Sequence, residues 1–307
     1  MLSYALRRLA AAVPTFLLIV AAAFFLMRAA PGGPFDEEQT LPPEIAANLQ
    51  AAYGLDQPMH VQFARYLGGL LRGDLGPSFR LKDFTVAELI GRGLPVTLTI
   101  GIAALLLAAA LGIPFGIVAA LRQNGWLDHA VMSVALAGVA IPSFVVAPVL
   151  ALVFGLHLGW LPVGGWESGS LRHMVLPVLT LALPVIAYLA RLTRGSLLEV
   201  LHAPFIRTAR AKGLAPGVVL RRHALKPALM PVVSFLGPAA AGLLTGSLVV
   251  EQVFGLPGVG RYFVQGAINR DYTLVMGMVV FYAALILLLN LLVDLAYGWL
   301  DPRIRHH

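Results

Sequence analysis

Six basic side chains crowd into one short stretch of this chain: Arg207, Arg210, Lys212, Arg221, Arg222 and Lys226. At that density guanidinium and ammonium groups offer charge-assisted hydrogen bonds to the carboxylates of an acidic partner, or attraction to anionic lipid head groups. The punctuation around them predicts order. Pro204 stands where a helix opens and Gly213 just past its end, and Pro216 opens a second short helix that stops near Pro227. On the first of these helices Ala209 and Gly213 are four residues apart and share a face, where their small size lets another backbone approach. With Arg207, Thr208, Arg210 and Lys212 around that strip, the segment reads as a docking element, with an acidic protein partner and anionic lipid both open from charge alone.

Reaction chemistry is poorly supported. The three lysines, Lys82, Lys212 and Lys226, all lie outside a G-x-x-x-x-G-K-[ST] phosphate loop. Ser234 and Ser247 lack a G-x-S-x-G setting, and no H-E-x-x-H or paired intramembrane carboxylates mark a protease. With 0 cysteines, disulfides, thiolate metal sites and cysteine nucleophiles are all excluded. His306 and His307 form a plain tail or a tag remnant. The chain is therefore expected to hold no catalytic residue, metal or cofactor of its own.

The elements that must carry the docking segment follow from where charge is missing. Leu9 to Met27, Gly93 to Leu121, His129 to Trp166, His173 to Ala190, Pro227 to Val250 and Tyr272 to Val293 contain no Asp, Glu, Lys or Arg. Each holds a helix of about 20 residues, enough to cross roughly 30 Å of hydrocarbon. A composition 59% hydrophobic and 12% charged, with mean hydropathy +0.83, agrees. The expected fold class is an all-α integral membrane protein with six transmembrane helices.

Charge distribution orients it. With the amino terminus inside, Arg7, Arg8, Arg122, Arg191, Arg194, the six bases from Arg207 to Lys226, Arg303 and Arg305 face the cytoplasm, against only four acids, Asp128, Glu199, Asp294 and Asp301. The positive-inside rule then places both termini in the cytoplasm, and the net charge of +7 needs no nucleic acid to explain it. Residues 1–28 read as an uncleaved anchor helix and 29–94 as a small extracytoplasmic region. Within the latter, Phe63, Tyr66, Leu67, Leu70 and Leu71 recur at helical spacing and predict an amphipathic helix. Prolines in the spans, among them Pro142, Pro177, Pro184, Pro231 and Pro238, predict kinked helices around a path. Ser143, Thr180, Tyr188, Ser234 and Thr245 are the polar candidates to line it.

At the loop the residues reach a resemblance. "FIRTARAKGL" followed by "RRHALKPALMPV" resembles the cytoplasmic loop of the membrane subunits of ATP-binding-cassette importers, in the peptide permease version. "YLGGLLRGDLGPSFRLKDFTVAELI", "AIPSFVVAPVL", "GLPGVGRYFVQGAINRDY" and "DPRIR" extend the likeness to the oligopeptide permease B type over nearly the whole chain. The resemblance implies a type I importer transmembrane domain, residues 95–307, with a cytoplasmic coupling loop at about 192–228. Arg207, Thr208, Ala209, Arg210, Lys212 and Gly213 would fit a cleft in an ATP-hydrolysing subunit. Arg207 stands where the broader family often has Glu, a departure typical of the peptide branch.

The implied assembly lies in the cytoplasmic (inner) membrane of a bacterium and imports oligopeptides. It contains a second homologous permease subunit, two ATP-binding subunits that hold ATP and Mg, and an extracytoplasmic peptide-binding protein. Glu251, Arg261, Arg270 and Asp271, amid "GLPGVG", are expected at the outer mouth, gating the path or touching the delivering protein. The rival reading is an ion-gradient-driven secondary transporter. It needs several acids at mid-membrane, whereas Asp294, near Asp301 and Arg303, is the one acid well inside an apolar stretch.

Overall fold

The computed structural model describes residues 2–29, 54, 56–81 and 83–300, the side chains of 2–6, 246 and 293–300 excepted. The acidic stretch at 36–44, the Asp294 carboxylate, Asp301, Arg303, Arg305, His306 and His307 lie outside the described residues. Among the described residues the chain is helical. In order come α1 (Leu2–Ala29), α2 (Met59–Leu70), α3 (Val86–Leu121), α4 (Trp126–Ala140), α5 (Ser143–Leu150), α6 (Leu171–Leu201), α7 (Pro204–Ala211), α8 (Leu225–Val253), α9 (Val259–Ile268) and α10 (Tyr272–Leu300). Two wider, π-helical turns, Ala151–His157 and Val219–Ala224, extend α5 and lead into α8.

Five described helices are long and apolar enough to cross a membrane, and α4 with the α5 segment supplies a sixth span only as a pair bent by 102°. The charge-free window at 129–166 is thus not one straight helix. Ile141, held extended at φ −89° and ψ 118° before Pro142, breaks it, because a residue preceding proline is driven out of the α region. A second departure is that the helix opened at Pro216 does not stop near Pro227. Its backbone passes through the Val219–Ala224 turn directly into α8.

The chain divides into two compact units, Met1–Val96 with Pro257–Leu291, and Thr97–Leu256 with Leu292–His307. In the first, the amphipathic helix expected from Phe63 and Tyr66 is α2. Phe63 packs 5.2 Å from Phe24 of α1, Tyr66 lies 5.9 Å from the same ring, and the Arg28 guanidinium sits 5.0 Å above it. Arg28 also donates to Gln62. Burial pushes the Tyr66 phenol up to about 12. A capping box starts α3: Thr85 N donates to Glu88 Oε2 (2.9 Å) and Glu88 N to Thr85 Oγ1 (3.2 Å).

In the second unit α6 packs against both α4 and α8. Gly112 and Gly116 let α3 lie directly on α6: an added Cβ would come 2.8 Å from the Ile186 carbonyl oxygen at the first and 2.5 Å from that of Ala190 at the second. Small residues at this spacing are how helices approach closely in lipid, where little hydrophobic force drives them together. Ser196 Oγ donates to the Ala228 carbonyl at 2.7 Å and ties α6 to α8.

Candidate functional site

The elbow joining α6 to α8 is built from its backbone outward. Ala203, extended at ψ 149°, precedes Pro204 at the first turn of α7. Thr208 Oγ1 turns back to the Pro204 carbonyl at 3.1 Å. At the other end Gly213 N donates to Arg210 O (2.9 Å) and Leu214 N to Ala209 O (3.4 Å), with Gly213 at φ +76°. This paired closure with a left-handed glycine satisfies the last carbonyls of the helix. Ordered stops at both ends make α7 a defined surface element.

Its two faces differ. Ile206 and Ala209, three residues apart, are buried in a cluster with Ala120, Leu197, Val219, Ala224 and Ala228. Arg207, Thr208, Arg210, Lys212 and Gly213 are exposed, as are Phe205, Arg221, Arg222 and Lys226. The expectation that Ala209 and Gly213 share one open strip therefore needs correcting. Ala209 is small because it seats α7 on the chain's own core. Gly213 lies past the helix end, where a Cβ would meet nothing within 4 Å. Glycine is favoured there by the positive φ, not by crowding.

Sequence reasoning missed the link behind this elbow. Asp128, at the start of α4 and 1% exposed, receives Arg194 of α6 in a two-pronged pair, Nε to Oδ1 at 2.5 Å and Nη2 to Oδ2 at 2.7 Å, and also accepts the Asn124 N–H at 2.9 Å. The fork geometry of arginine and carboxylate makes this a strong, directional contact. It anchors the part of α6 that leads into α7. Charges 66 residues apart leave no local spacing from which to read it.

Of the four residues expected at an outer mouth, the two acids are buried. Glu251 lies inside α8, fully buried, and its Oε1 accepts Thr97 Oγ1 and Ser247 Oγ, each at 2.7 Å. Asp271 is also fully buried. It caps α10 by accepting the Leu274 N–H at 3.0 Å, and takes Ser78 Oγ at 2.5 Å and Arg80 N at 3.2 Å. Both acids are drawn inward because a buried carboxylate is tolerated when it is well hydrogen-bonded. Arg261 is half-buried on α9, and Arg270 is exposed at φ +54° in the turn that closes that helix. Of the polar candidates for the path, Thr180 is buried and bonded back to Leu176 O (2.8 Å), and Ser234 and Thr245 bond back to Met230 O (2.7 Å) and Ala241 O (2.8 Å). Ser143 is half-buried and Tyr188 is exposed.

Comparison with known proteins decides the family. Residues 112–306 match the family described as binding-protein-dependent transport system inner membrane component, and residues 1–101 match its N-terminal family. The chain belongs to this family. Over full length it is 51% identical to the oligopeptide transport system permease protein OppB of Salmonella typhimurium, covering 100% of both chains. It is 44% identical to the dipeptide transport system permease protein DppB of Bacillus subtilis, covering 100% of this chain and 99% of that one. The permease fold is shared with a solved inward-facing MetNI methionine ABC transporter, at TM-score 0.60 and 20% identity over 69% of this chain and 96% of that chain. The architecture is that of a type I importer transmembrane domain, in a multi-pass inner-membrane permease. Nothing favours the ion-gradient reading.

Proposed function

We propose that this permease is one membrane half of an ATP-driven importer that carries oligopeptides into the bacterial cytoplasm. The observation that carries the reading is the full-length 51% identity to a protein named as an oligopeptide permease. The substrate and the ATP-driven mechanism both follow from that likeness, and because this chain has no phosphate-binding loop the nucleotide is assigned to partner subunits.

In this reading ATP and Mg belong to two partner subunits, and the exposed face of α7, with Arg207, Thr208, Arg210 and Lys212, sits in a cleft of one of them. Closure of the ATPases pushes α7, and the Asp128–Arg194 pair passes that movement into α4 and α6 as rigid-body rotation. A second homologous permease subunit completes the path, and an extracytoplasmic binding protein delivers the peptide. The loop at about 192–228 and both termini are cytoplasmic, while residues 29–94 face outward and 1–28 anchor the chain.

Reconstitution of the co-purified complex in proteoliposomes tests this. Peptide uptake is expected to require ATP and the binding protein and to survive collapse of ion gradients. Uptake that persists without ATP, or a chain that purifies and transports alone, would overturn it. Because the chain has no cysteine, single cysteines at Arg207 and Asp56 test the topology: a membrane-impermeant thiol reagent added to intact cells is expected to label the second only.

A further inference from the structure

We infer that α6 and α8 carry a station for the two charged ends of a short peptide, with Arg191 for its carboxylate and Glu199 for its ammonium group. This rests on the peptide-import reading and deepens it. The two helices leave between them a pocket of about 360 Å³ whose lining includes Tyr188, Arg191, Gly195, Ser196, Glu199 and Pro231.

Arg191 and Glu199 are exposed, and among the described residues neither forms an ion pair. Three residues beyond Arg191, Arg194 is fully engaged by Asp128, so the helix distinguishes a structural arginine from an uncommitted one. In the proposed topology Arg191 and Glu199 both lie toward the cytoplasmic end of α6, where exposed charges stay solvated until a charged partner meets them. The pocket offers one charge of each sign, and a free peptide carries the complementary two.

Spacing agrees with that occupant. Eight residues separate the two charges, about 12 Å along an α-helix, and an extended chain advances about 3.3–3.6 Å per residue. Three to four residues therefore span the gap. The remaining wall is indifferent to side-chain identity. Ser196 spends its hydroxyl on the Ala228 and Leu192 carbonyls at 2.7 and 3.0 Å. Tyr188 is stacked on Phe235 at 4.0 Å and presents a fixed aromatic face. At Gly195 an added Cβ would meet nothing within 4 Å, so the floor is open. A site whose only uncommitted charges match the peptide termini reads length and charge, not sequence.

The test uses the complete importer in ATP-loaded proteoliposomes, with a free tetrapeptide, its N-acetyl analogue and its C-amide. Uptake by each variant is expressed relative to wild type for the same peptide. Arg191→Gln is expected to lower relative uptake of the free and N-acetyl peptides about three- to tenfold, the size of a part-exposed charge-assisted contact, and to leave that of the C-amide unchanged. Glu199→Gln is expected to show the mirror pattern, sparing the N-acetyl peptide. Gly195→Leu, whose Cβ would meet nothing within 4 Å, puts an apolar side chain on the floor and is expected to lower all three. Wild-type uptake with equal losses for all three peptides in each charge variant would overturn the station while leaving the import reading intact. Loss of the partner subunits on purification of Gly195→Leu would also overturn it, making this face a subunit contact. No uptake of any peptide by wild type would sink the import reading itself.

Discussion

The elbow at α7 and the two acids Glu251 and Asp271 are equally polar in sequence and opposite in structure. Arg207, Arg210 and Lys212 stand exposed and form no ion pair among the described residues. Glu251 and Asp271 are fully buried, each met by hydroxyl or amide donors. The difference teaches what each set is for. A buried charge survives when its desolvation is offset by fixed hydrogen bonds, and it then holds helices in place. A bare cluster of one sign gains little within its own chain and suits a surface that another molecule must neutralise.

Breaking the best-buried contact gives the largest expected effect. Arg194→Ala leaves the Asp128 carboxylate 1% exposed and without its fork, a change expected to cost about 3 kcal/mol. The detergent-solubilised protein is expected to melt well below wild type, with Arg194→Lys between the two because one ammonium replaces one prong. A melting point unchanged in Arg194→Ala would remove the pair from any account of how α4 and α6 are held.

Next comes Glu251→Leu, which strips an acceptor shared by Thr97 and Ser247 at 2.7 Å. Leaving those buried hydroxyls without it is expected to cost about 2 kcal/mol. Glu251→Gln keeps a carbonyl oxygen at the same place and is expected to lose less than half as much. If instead Glu251→Leu left stability intact but reduced substrate-stimulated ATPase activity, the carboxylate would belong with the exposed, functional set and the comparison would fail on this side.

Gly213→Ala is smaller again. Space is open there but φ is +76°, so the methyl group meets only its own backbone, at an expected cost of about 1 kcal/mol. Asn, which tolerates this conformation better, is expected to recover part of that loss. Equal melting for Gly213, Ala and Asn would mean that the left-handed closure of α7 contributes nothing.

How much of this was legible in the sequence depends on whether the cause was local. The spans were, because a run of about 20 residues without charge has few meanings other than hydrocarbon, and α7 was, because Pro204 and Gly213 act on their own backbone. The break at Ile141 was not, since the apolar window continues unchanged through it. The inward turn of Ala209 was within reach. Ile206 three residues earlier shares its face, and reading size without that apolar neighbour put the helix in the wrong phase. Glu251, Asp271 and Asp128 were beyond reach, because each has a partner 154, 193 or 66 residues away, and their short-range contacts with Ser247, Leu274 N and Asn124 N do not distinguish an acid that will be enclosed from one that will be solvated.

The smallest effect on the fold belongs to the change with the sharpest consequence. Arg207→Gln with Arg210→Gln removes two exposed charges from the outward face of α7 while leaving Ile206 and Ala209 seated in the core. Surface substitutions of this kind stay within about 0.5 kcal/mol, so the melting point is expected to hold. Retention of the ATP-hydrolysing subunits on purification is expected to fall, and more steeply as salt rises, because contacts between exposed charges are screened. The opposite pattern, a lower melting point with the subunits still bound, would mean that these arginines serve the chain's own structure as Asp128 and Glu251 do. The two regions would then differ in exposure but not in purpose, and the partner's grip on α7 would have to come from the rest of its exposed face, Phe205, Thr208, Lys212 and the backbone around Gly213.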